Sequence, residues 1–430
     1  MEFPNFLLEI FTHANTIQLS QRLLYNLSLC KCKATFQSVQ CFVGQAATTG
    51  LFIADLDPKM PLLDGLSRPK LCTVTYSDGT VGKLCLKSCT DDFRLDMTVS
   101  QFFSSFNRVL HSKSSGQRIL GYDILPIDEY VEKDKKNRKI SMKSGLIEFA
   151  QDTKSLQEVL DSVCSRLNID GISMKRQKYF SKYRTIENSS DNESIQLTNY
   201  YETFCDFVNS MPTLLDKWLL YNFPTPKEWY LATVRYAKSL SSTGVAGYII
   251  GLNDRHLSNV RINTKTAEIV QIDYGDSFEN TINKATPERV PFRLTRNMVA
   301  ALGTTGVEGR FRGYMEEAMC LARQRSFVRL TKTVLASIFK DRLEDRNWKD
   351  NRYVRFVKKR LDDRFKGIDD PVSIGAGNSM NRICHFQRQD EELNDLYGET
   401  PITTHVQAII TRATDPHNHS RMFPGWTAFV

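Results

Sequence analysis

VAGYIIGLNDRHLSNVRINTKTAEIVQIDYGDSFE, residues 245–279, carries the densest local pattern in the chain. An apolar run from Val245 to Leu252 opens into a polar loop with Asp254, Arg255, His256 and Asn259. Two short alternating segments follow. Val260 and Ile262 mark the first, Ile269 and Ile272 the second, with the turn-like Asn263, Thr264, Lys265 and Thr266 between them. This pattern predicts a β-hairpin. An antiparallel hairpin returns the chain to its starting end. Asn259 enters it and Asp273 leaves it, so the two side chains are expected close together. A carboxylate beside an amide oxygen suits a hard cation such as Mg²⁺, which prefers oxygen ligands and shares them with phosphates. A strand–turn–strand with polar ends is the plain alternative, and Asp-x-Gly alone is common in turns. The joint order and spacing are much harder to obtain by chance.

Asp254 precedes Asn259 by five positions. That is the spacing of catalytic Asp and metal-binding Asn in the H-R-D-x-x-x-x-N loop of protein kinases, and Asp273-Tyr274-Gly275 stands where D-F-G stands. With Asp-Arg-His in place of His-Arg-Asp, followed by Ile272-Asp273-Tyr274-Gly275, the chain resembles the phosphatidylinositol-3-kinase-related protein kinases. The resemblance runs from about residue 65 onward. It implies an α+β fold: a two-lobed, protein-kinase-like catalytic domain with a helical N-terminal extension and C-terminal FATC helices. The implied divisions are a helical segment at 1–62, an N-lobe with hinge at 63–150 and a C-lobe at 151–345. A basic helix with linker at 346–397 and a FATC module at 398–430 complete them.

The bulk numbers set looser bounds. A chain of 430 residues suffices for two or three compact units. Hydrophobic content of 41% and charged content of 25% are ordinary for a globular protein. A formal charge of +8 permits acidic partners without arguing for them, so direct nucleic-acid binding is not indicated. No run of eighteen apolar residues exists, and no membrane span is expected. The ten cysteines are scattered, and Cys30 with Cys32 forms a lone C-x-C, which argues for reduced thiols in the cytoplasm or nucleus rather than zinc.

Along the chain, Phe6, Leu7, Ile10 and Phe11, then Leu19, Leu23, Leu24 and Leu27, recur at helical spacing. From Leu66 the pattern turns to strands, with Asp78-Gly79 as a hairpin turn. The resemblance places a phosphate-covering loop at about Leu66 to Lys70 and the ATP-phosphate lysine at Lys87; a surface-strand lysine is the ordinary alternative. Asp91 is the implied acidic partner of Lys87, although the segment is one residue longer than the family's. Asp96 begins a helix running to about His111 on Val99, Phe102, Phe103, Phe106 and Leu110. It reads as an N-cap, or, by resemblance, as the partner of Tyr122 behind the nucleotide pocket. Residues 131–143, VEKDKKNRKISMK, read as an exposed charged loop. SGLIEFAQDT resembles the family hinge, which implies Phe149 stacking on adenine and backbone groups near Glu148 and Ala150 bonding its edge. A buried strand-end aromatic is the alternative for Phe149.

Residues 153–243 are mostly helical in pattern, with a loop at Asn188 to Glu193. The stretch from Gly275 to about Pro291 is the implied activation segment. Its Lys284 and Arg289 are offset by Asp276, Glu279 and Glu288, a poor match to a strongly anionic headgroup. Helices continue to about Asp345. RNWKDNRYVRFVKKRLDDRFKG reads as a solvated basic helix and GIDDPVSIGAGNSM as a loop. A helix near Ile402 to Arg412 and the ending GWTAFV resemble the family's C-terminal module, with Trp426 and Phe429 as anchors on the catalytic lobe.

The resemblance implies transfer of the ATP γ-phosphoryl group to Ser or Thr hydroxyls followed by Gln, in a protein kinase with regulatory subunits. Asp254 would accept or orient the hydroxyl proton and His256 support the transition state. Asn259 and Asp273 would hold Mg²⁺, or Mn²⁺ in its place, and Lys87 the phosphates. Arg255 reads as a structural ion-pair residue. Asn253 replaces the family's glycine, and Asn tolerates a positive φ. Within the family, YIIGLNDRHLSNV, IDY, Leu95-Asp96 and GWTAFV resemble the kinase of nonsense-mediated mRNA decay, which acts on an RNA helicase. DNA-damage-response kinases of the ataxia-telangiectasia type are the alternative, followed by a catalytically inactive scaffold or a lipid kinase of the same fold.

Overall fold

The computed structural model describes residues 17–18, 53–57, 59–63, 68–89, 92–133, 139–169, 172–278, 288–342, 351–369 and 396–426. These fall into two units: one of residues 1–101 and 121–151, the other of 102–120 and 152–430. A sheet-rich first unit and a mostly helical second unit agree with the expected α+β class.

The first unit is built on an antiparallel sheet. The short strands β1 (Ile17–Gln18) and β3 (Lys59–Met60) pair with each other. Strand β2 (Ile53–Leu56) leads the five-stranded order β2-β4-β5-β7-β6, completed by β4 (Lys70–Tyr76), β5 (Val81–Cys89), β6 (Ile124–Lys133) and β7 (Lys139–Glu148). The described parts of residues 1–62 are therefore extended; the helices expected from Phe6 and Leu19 lie outside the described residues. The Asp78-Gly79 turn forms as expected. Gly79 takes φ 84°, and the Asp78 carboxylate accepts from the Thr80 N–H at 2.9 Å. The charged stretch expected as a loop is instead the arm of a hairpin, β6 paired to β7 out to Lys133 opposite Lys139. Main-chain pairing does not require an apolar alternation, and charged residues erase the period-2 signal on which strand recognition rests.

Helix α1 (Phe93–Lys113) is divided between the units after Gln101. Val99, Phe102, Phe103, Phe106 and Leu110 are all at most 3% exposed, as their spacing predicts. Its start is three residues earlier than expected. Asp92, not Asp96, lies before the first turn and accepts from the Arg94 N–H at 3.1 Å.

In the second unit, strand β8 (Thr153–Ser155) leads into α2 (Leu156–Arg166), whose capping box pairs Ser155 with Glu158. Helices α3 (Ile172–Glu187) and α4 (Glu193–Asn209) flank the expected break at Asn188. Then come α5 (Leu215–Asn222) and α6 (Pro226–Ile250). Helix α6 begins with Pro at its first position behind a Thr225–Glu228 capping box. Every residue from Ser239 to Ile250 is buried. Small side chains make this burial feasible: Gly244 has the Phe292 ring 3.1 Å from where a Cβ would stand, and Ser239 Oγ accepts from the Ile269 N–H at 2.9 Å. The expected hairpin follows, β9 (Val260–Asn263) with β10 (Ile269–Gln271), Ile262 opposite Ile269 and β8 on its far side.

Helices α7 (Arg296–Ala300), α8 (Arg310–Ala322), α9 (Arg325–Arg342) and α10 (Arg352–Lys366) continue the unit. The basic helix α10 is not solvated all round. Val354, Val357, Leu361 and Phe365 are buried at spacings of three and four, a helical stripe that the surrounding Lys and Arg obscure in sequence. The loop expected at GIDDPVSIGAGNSM lies mostly outside the described residues.

The tail module, α11 (Ile402–Thr414), α12 (Pro416–Ser420) and a turn at Pro424–Trp426, packs within this unit. Trp426 is 7% exposed against Val290 and Met422, the anchoring expected for it; Phe429 lies outside the described residues. The buried Arg323 guanidinium donates to the carbonyls of Tyr397 and Thr400, each at 2.7 Å. Gly398, at φ 131°, passes over that guanidinium so closely that a Cβ would stand 2.0 Å from Arg323 Nη2. Gly398→Ala is therefore expected to lower stability by at least about 1–3 kcal/mol, from strain and overpacking together. A melting temperature within a degree of the parent would contradict this close approach.

Two tail histidines are buried uncharged. His405 Nε2 lies 2.9 Å from the Tyr248 hydroxyl, which itself donates to Asp369, so the ring donates through Nε2–H. His419 Nε2 meets the Ala413 carbonyl at 2.8 Å. Burial pulls both pKa values down to about 4. An unfolded histidine takes up its proton near pH 6.5. The folded state's advantage is therefore complete above that pH and shrinks as pH falls toward 4, by up to about 3 kcal/mol per histidine. The melting temperature is expected to drop between pH 6.5 and 4.5, and to drop less in His419→Gln. Equal pH dependence of the two proteins would refute the buried neutral state.

Candidate active site

Helix α6 ends because Gly251 turns left-handed, at φ 63° and ψ 50°. The Leu252 N–H closes that end on the Gly247 carbonyl at 2.9 Å. The chain after the hairpin comes back to the same place: Asn253 N–H donates to the Asp276 carbonyl at 2.8 Å, and Phe278 N–H to the Ile250 carbonyl at 2.9 Å. The loop 252–259 and the turn 272–278 thus form one structure, held from both ends.

Two aspartates in it have a left-handed backbone, Asp254 at φ 59° and Asp273 at φ 61°. The positive φ expected at Asn253 falls one residue later. Such φ values are uncommon outside glycine and least costly for Asn and Asp. Arg255 holds the pair. It is 1% exposed, and its guanidinium donates to the carbonyls of Asn253 and Ile272 at 2.7 Å each and to that of Asp273. Arg255 is structural, as expected, but its partners are three carbonyls, where an ion pair was expected.

At the hairpin mouth the Ile272 N–H donates to the Asn259 carbonyl at 3.0 Å, so the backbone of Asn259 lies beside the residue that precedes Asp273. The Asn259 amide nitrogen donates to the Asp254 carbonyl at 3.0 Å. That bond engages the amide nitrogen and leaves Oδ1 as the atom that could serve as a ligand. Asp273 is exposed. One amide oxygen and one carboxylate form a hard donor set that fits Mg²⁺ or Mn²⁺. No group of three His, Cys, Asp or Glu side chains able to hold a metal occurs among the described residues, so a cation here would complete its shell with phosphate and water oxygens.

The surroundings of Asp254 were not foreseen from sequence. Its N–H donates to Glu288 Oε2 at 2.8 Å, and Glu288 in turn pairs with Arg293 at 3.5 Å, both side chains at most 2% exposed. Burial pushes the Glu288 carboxyl up and the Arg293 guanidinium down, while each partially offsets the shift of the other. Glu288 therefore does not act as a surface charge, contrary to the expected offset of Lys284 and Arg289; Lys284 and Glu279 lie outside the described residues. The Trp426 indole N–H donates to Asp254 Oδ1 at 2.7 Å. His256 Nε2 stands 4.0 Å from Asp254 Oδ2, and its Nδ1 accepts from the Ser258 N–H at 3.2 Å. Burial lowers the His256 pKa against the opposing pull of Asp254, which favours a neutral ring with its proton on Nε2. Tyr274 is fully buried, edge-on to Phe103 at 5.3 Å.

The other expected site residues lie in the first unit. Lys87 is on β5 opposite Gly145, its ammonium 5.9 Å from the centre of the Phe93 ring. Gly145 admits that ring, since a Cβ there would stand 2.8 Å from it. Asp96 and Tyr122 are both buried, and the Tyr122 carbonyl accepts from Ser100 Oγ at 2.9 Å. Glu148 N–H donates to the Asp123 carbonyl at 2.9 Å and Phe149 N–H to that of Lys83 at 3.0 Å. Burial raises the Glu148 carboxyl's pKa. Ala150 follows directly, past the end of β7. Asp91 lies outside the described residues.

Comparison with known proteins agrees with this architecture. The family model for phosphatidylinositol 3- and 4-kinase matches residues 85–345, and that for the FATC domain matches 399–430. The serine/threonine-protein kinase TEL1 of Kluyveromyces lactis is 29% identical over 88% of the chain and 13% of its own length. MEC1 of Candida albicans is 27% identical over 90% and 15%. The serine-protein kinase ATM of Sus scrofa is 28% identical over 88% and 12%. A solved structure of the FAT and kinase domain of CtTel1 superposes with a TM-score of 0.73 at 22% identity, over 99% of this chain and 28% of that one. The chain thus spans a small fraction of the relatives it matches. It belongs to the phosphatidylinositol 3- and 4-kinase family and carries a FATC domain over residues 399–430.

Proposed function

We propose that the chain is a serine/threonine protein kinase that moves the γ-phosphoryl group of ATP to Ser-Gln and Thr-Gln sites. The observation that carries this is the convergence of Asp254, His256, Asn259 and Asp273 on one loop–hairpin structure clamped by Arg255. Asp254 takes the proton of the acceptor hydroxyl, whose oxygen bonds to the γ-phosphorus as the bridging bond to ADP breaks. His256, neutral and protonated at Nε2, donates toward the charge developing beside Asp254. Mg²⁺ held by Asn259 and Asp273 would supply charge neutralisation on the phosphates. Lys87, with Asp96, Tyr122, Glu148, Phe149 and Ala150, is assigned to the nucleotide. Relatives named as serine/threonine-protein kinases support a protein acceptor.

Those relatives carry the names TEL1, MEC1 and ATM, which favours the DNA-damage-response branch over the nonsense-mediated-decay kinase. A DNA-damage role would be exercised in the nucleus. No described helix is long and apolar enough to cross a membrane.

Asp273→Asn keeps a residue that tolerates the left-handed backbone and removes the charge. It is expected to retain the melting temperature and lose several kcal/mol of transition-state stabilisation, on the order of 100- to 1,000-fold in turnover. Activity within a few-fold of the parent would remove Asp273 from the metal site. The acceptor is tested by radiolabel transfer from ATP to a Ser-Gln peptide, its Ser-Ala counterpart and phosphatidylinositol vesicles. Transfer to the first, with marked loss on the second and none to lipid, is expected. Lipid turnover above peptide turnover would reject the protein-kinase assignment.

A further inference from the structure

We infer that the indole N–H of Trp426 is a positioning donor for the phosphotransfer base: it fixes the Asp254 carboxylate through Oδ1 and turns Oδ2 to the acceptor side. The inference rests on Asp254 being that base. A carboxylate rotates freely about its last bond, since that torsion is broad and roughly two-fold. Asp254 is about one-third exposed, so packing alone does not hold it. The 2.7 Å bond from Trp426 is the side-chain contact that selects one oxygen. Oδ2 remains, 4.0 Å from His256 Nε2, on the side where the transferring group would pass.

The donor is itself rigid. The indole is 7% exposed between Val290 and Met422 and edge-on to Phe423, 6.2 Å and 87° away. The Trp426 backbone N–H closes a tight turn on the Phe423 carbonyl at 2.9 Å. Gly425, within that turn, lies where a Cβ would stand 2.3 Å from the Phe423 ring. Upstream, Met422 N–H donates to the His419 carbonyl at 3.2 Å, and His419 is tied to Ala413. A rigid chain of contacts therefore runs from α11 to the base. The backbone N–H of Asp254 is held independently by Glu288, so the loop keeps its place when the indole bond is removed and only the carboxylate's orientation is lost.

Trp426→Phe separates packing from positioning, because it keeps an aromatic ring in the pocket and deletes the donor. Misorientation of a reacting group by about an ångström costs up to roughly 100-fold in rate. The expected result is a kcat lower by about tenfold or more with KM for ATP unchanged within about twofold. The melting temperature is expected to move by no more than about 2–4 °C, the shift that corresponds to one hydrogen bond. A second readout needs no turnover: the indole N–H proton resonance of Trp426 should move in Asp254→Ala while those of Trp218 and Trp229 stay. Full kcat in Trp426→Phe alongside an inactive Asp254→Asn would overturn the positioning role and leave the base assigned. Undiminished activity in Asp254→Asn would overturn the base and the inference together. A fall in kcat matched by a large rise in KM and a collapsed melting temperature would show structural support only, as would an indole resonance indifferent to Asp254.

Discussion

The buried guanidinium of Arg255 is the constraint on which the candidate site hangs. A charge taken out of water is costly unless hydrogen-bonded. Here three carbonyls meet it, from the residue before Asp254, the residue before Asp273, and Asp273 itself. A planar fork of donors can reach all three at once; a lysine ammonium, a point charge, has no matching geometry. The bonds join the two segments that flank the hairpin, and they hold two aspartates in a backbone conformation of local cost, of order 1–3 kcal/mol each. Strain of that kind persists only where the surroundings over-determine it. Returning hydrogen bonds from Asp276 and Phe278 supply the remaining determination.

The electrostatics follow from the same burial. Around Asp254 stand Arg255, His256, Glu288 and Arg293. The two arginines face one buried glutamate and the candidate base, so positive and negative groups alternate outward from the loop. The neutral state of His256 follows from burial together with the two nearby guanidinium groups. With Nδ1 accepting from Ser258, the neutral ring keeps its proton on Nε2 and donates from there while uncharged.

Much of this was legible in sequence because it is local. The hairpin, its turn at Asn263 and the return of the chain beside Asn259 all follow from period-2 alternation and a short loop. The helix through Phe102, Phe106 and Leu110 was legible for the same reason, through spacings of three and four. The hairpin arm out to Lys133 and the buried stripe of α10 were not, because charged residues dominate both stretches and mask a period that the backbone still obeys. Glu288 and Trp426 were legible only as residues, not as neighbours of Asp254. They lie 34 and 172 positions away, and nothing in a single sequence records which distant donor a carboxylate receives. Trp426 was recognisable as a tail anchor through the resemblance of GWTAFV to the family's C-terminal module, but its N–H carried no sequence signal. The left-handed residue was displaced by one, from Asn253 to Asp254, since a composition rule names the tolerant residue types and not which of two neighbours turns.

The left-handed backbone of Asp254 and Asp273 also limits how this site can change over evolutionary time. A side chain branched at Cβ would meet steric resistance at either position, on top of losing the carboxylate. Asparagine and glycine would not. A descendant that abandons phosphotransfer yet keeps the fold therefore has two easy exits at each position, and every other replacement must first find compensation elsewhere. Lineages that retire this chemistry should accumulate Asn and Gly at these two places ahead of Val, Ile or Thr. The pattern of decay would then record the backbone's demand separately from the chemistry's.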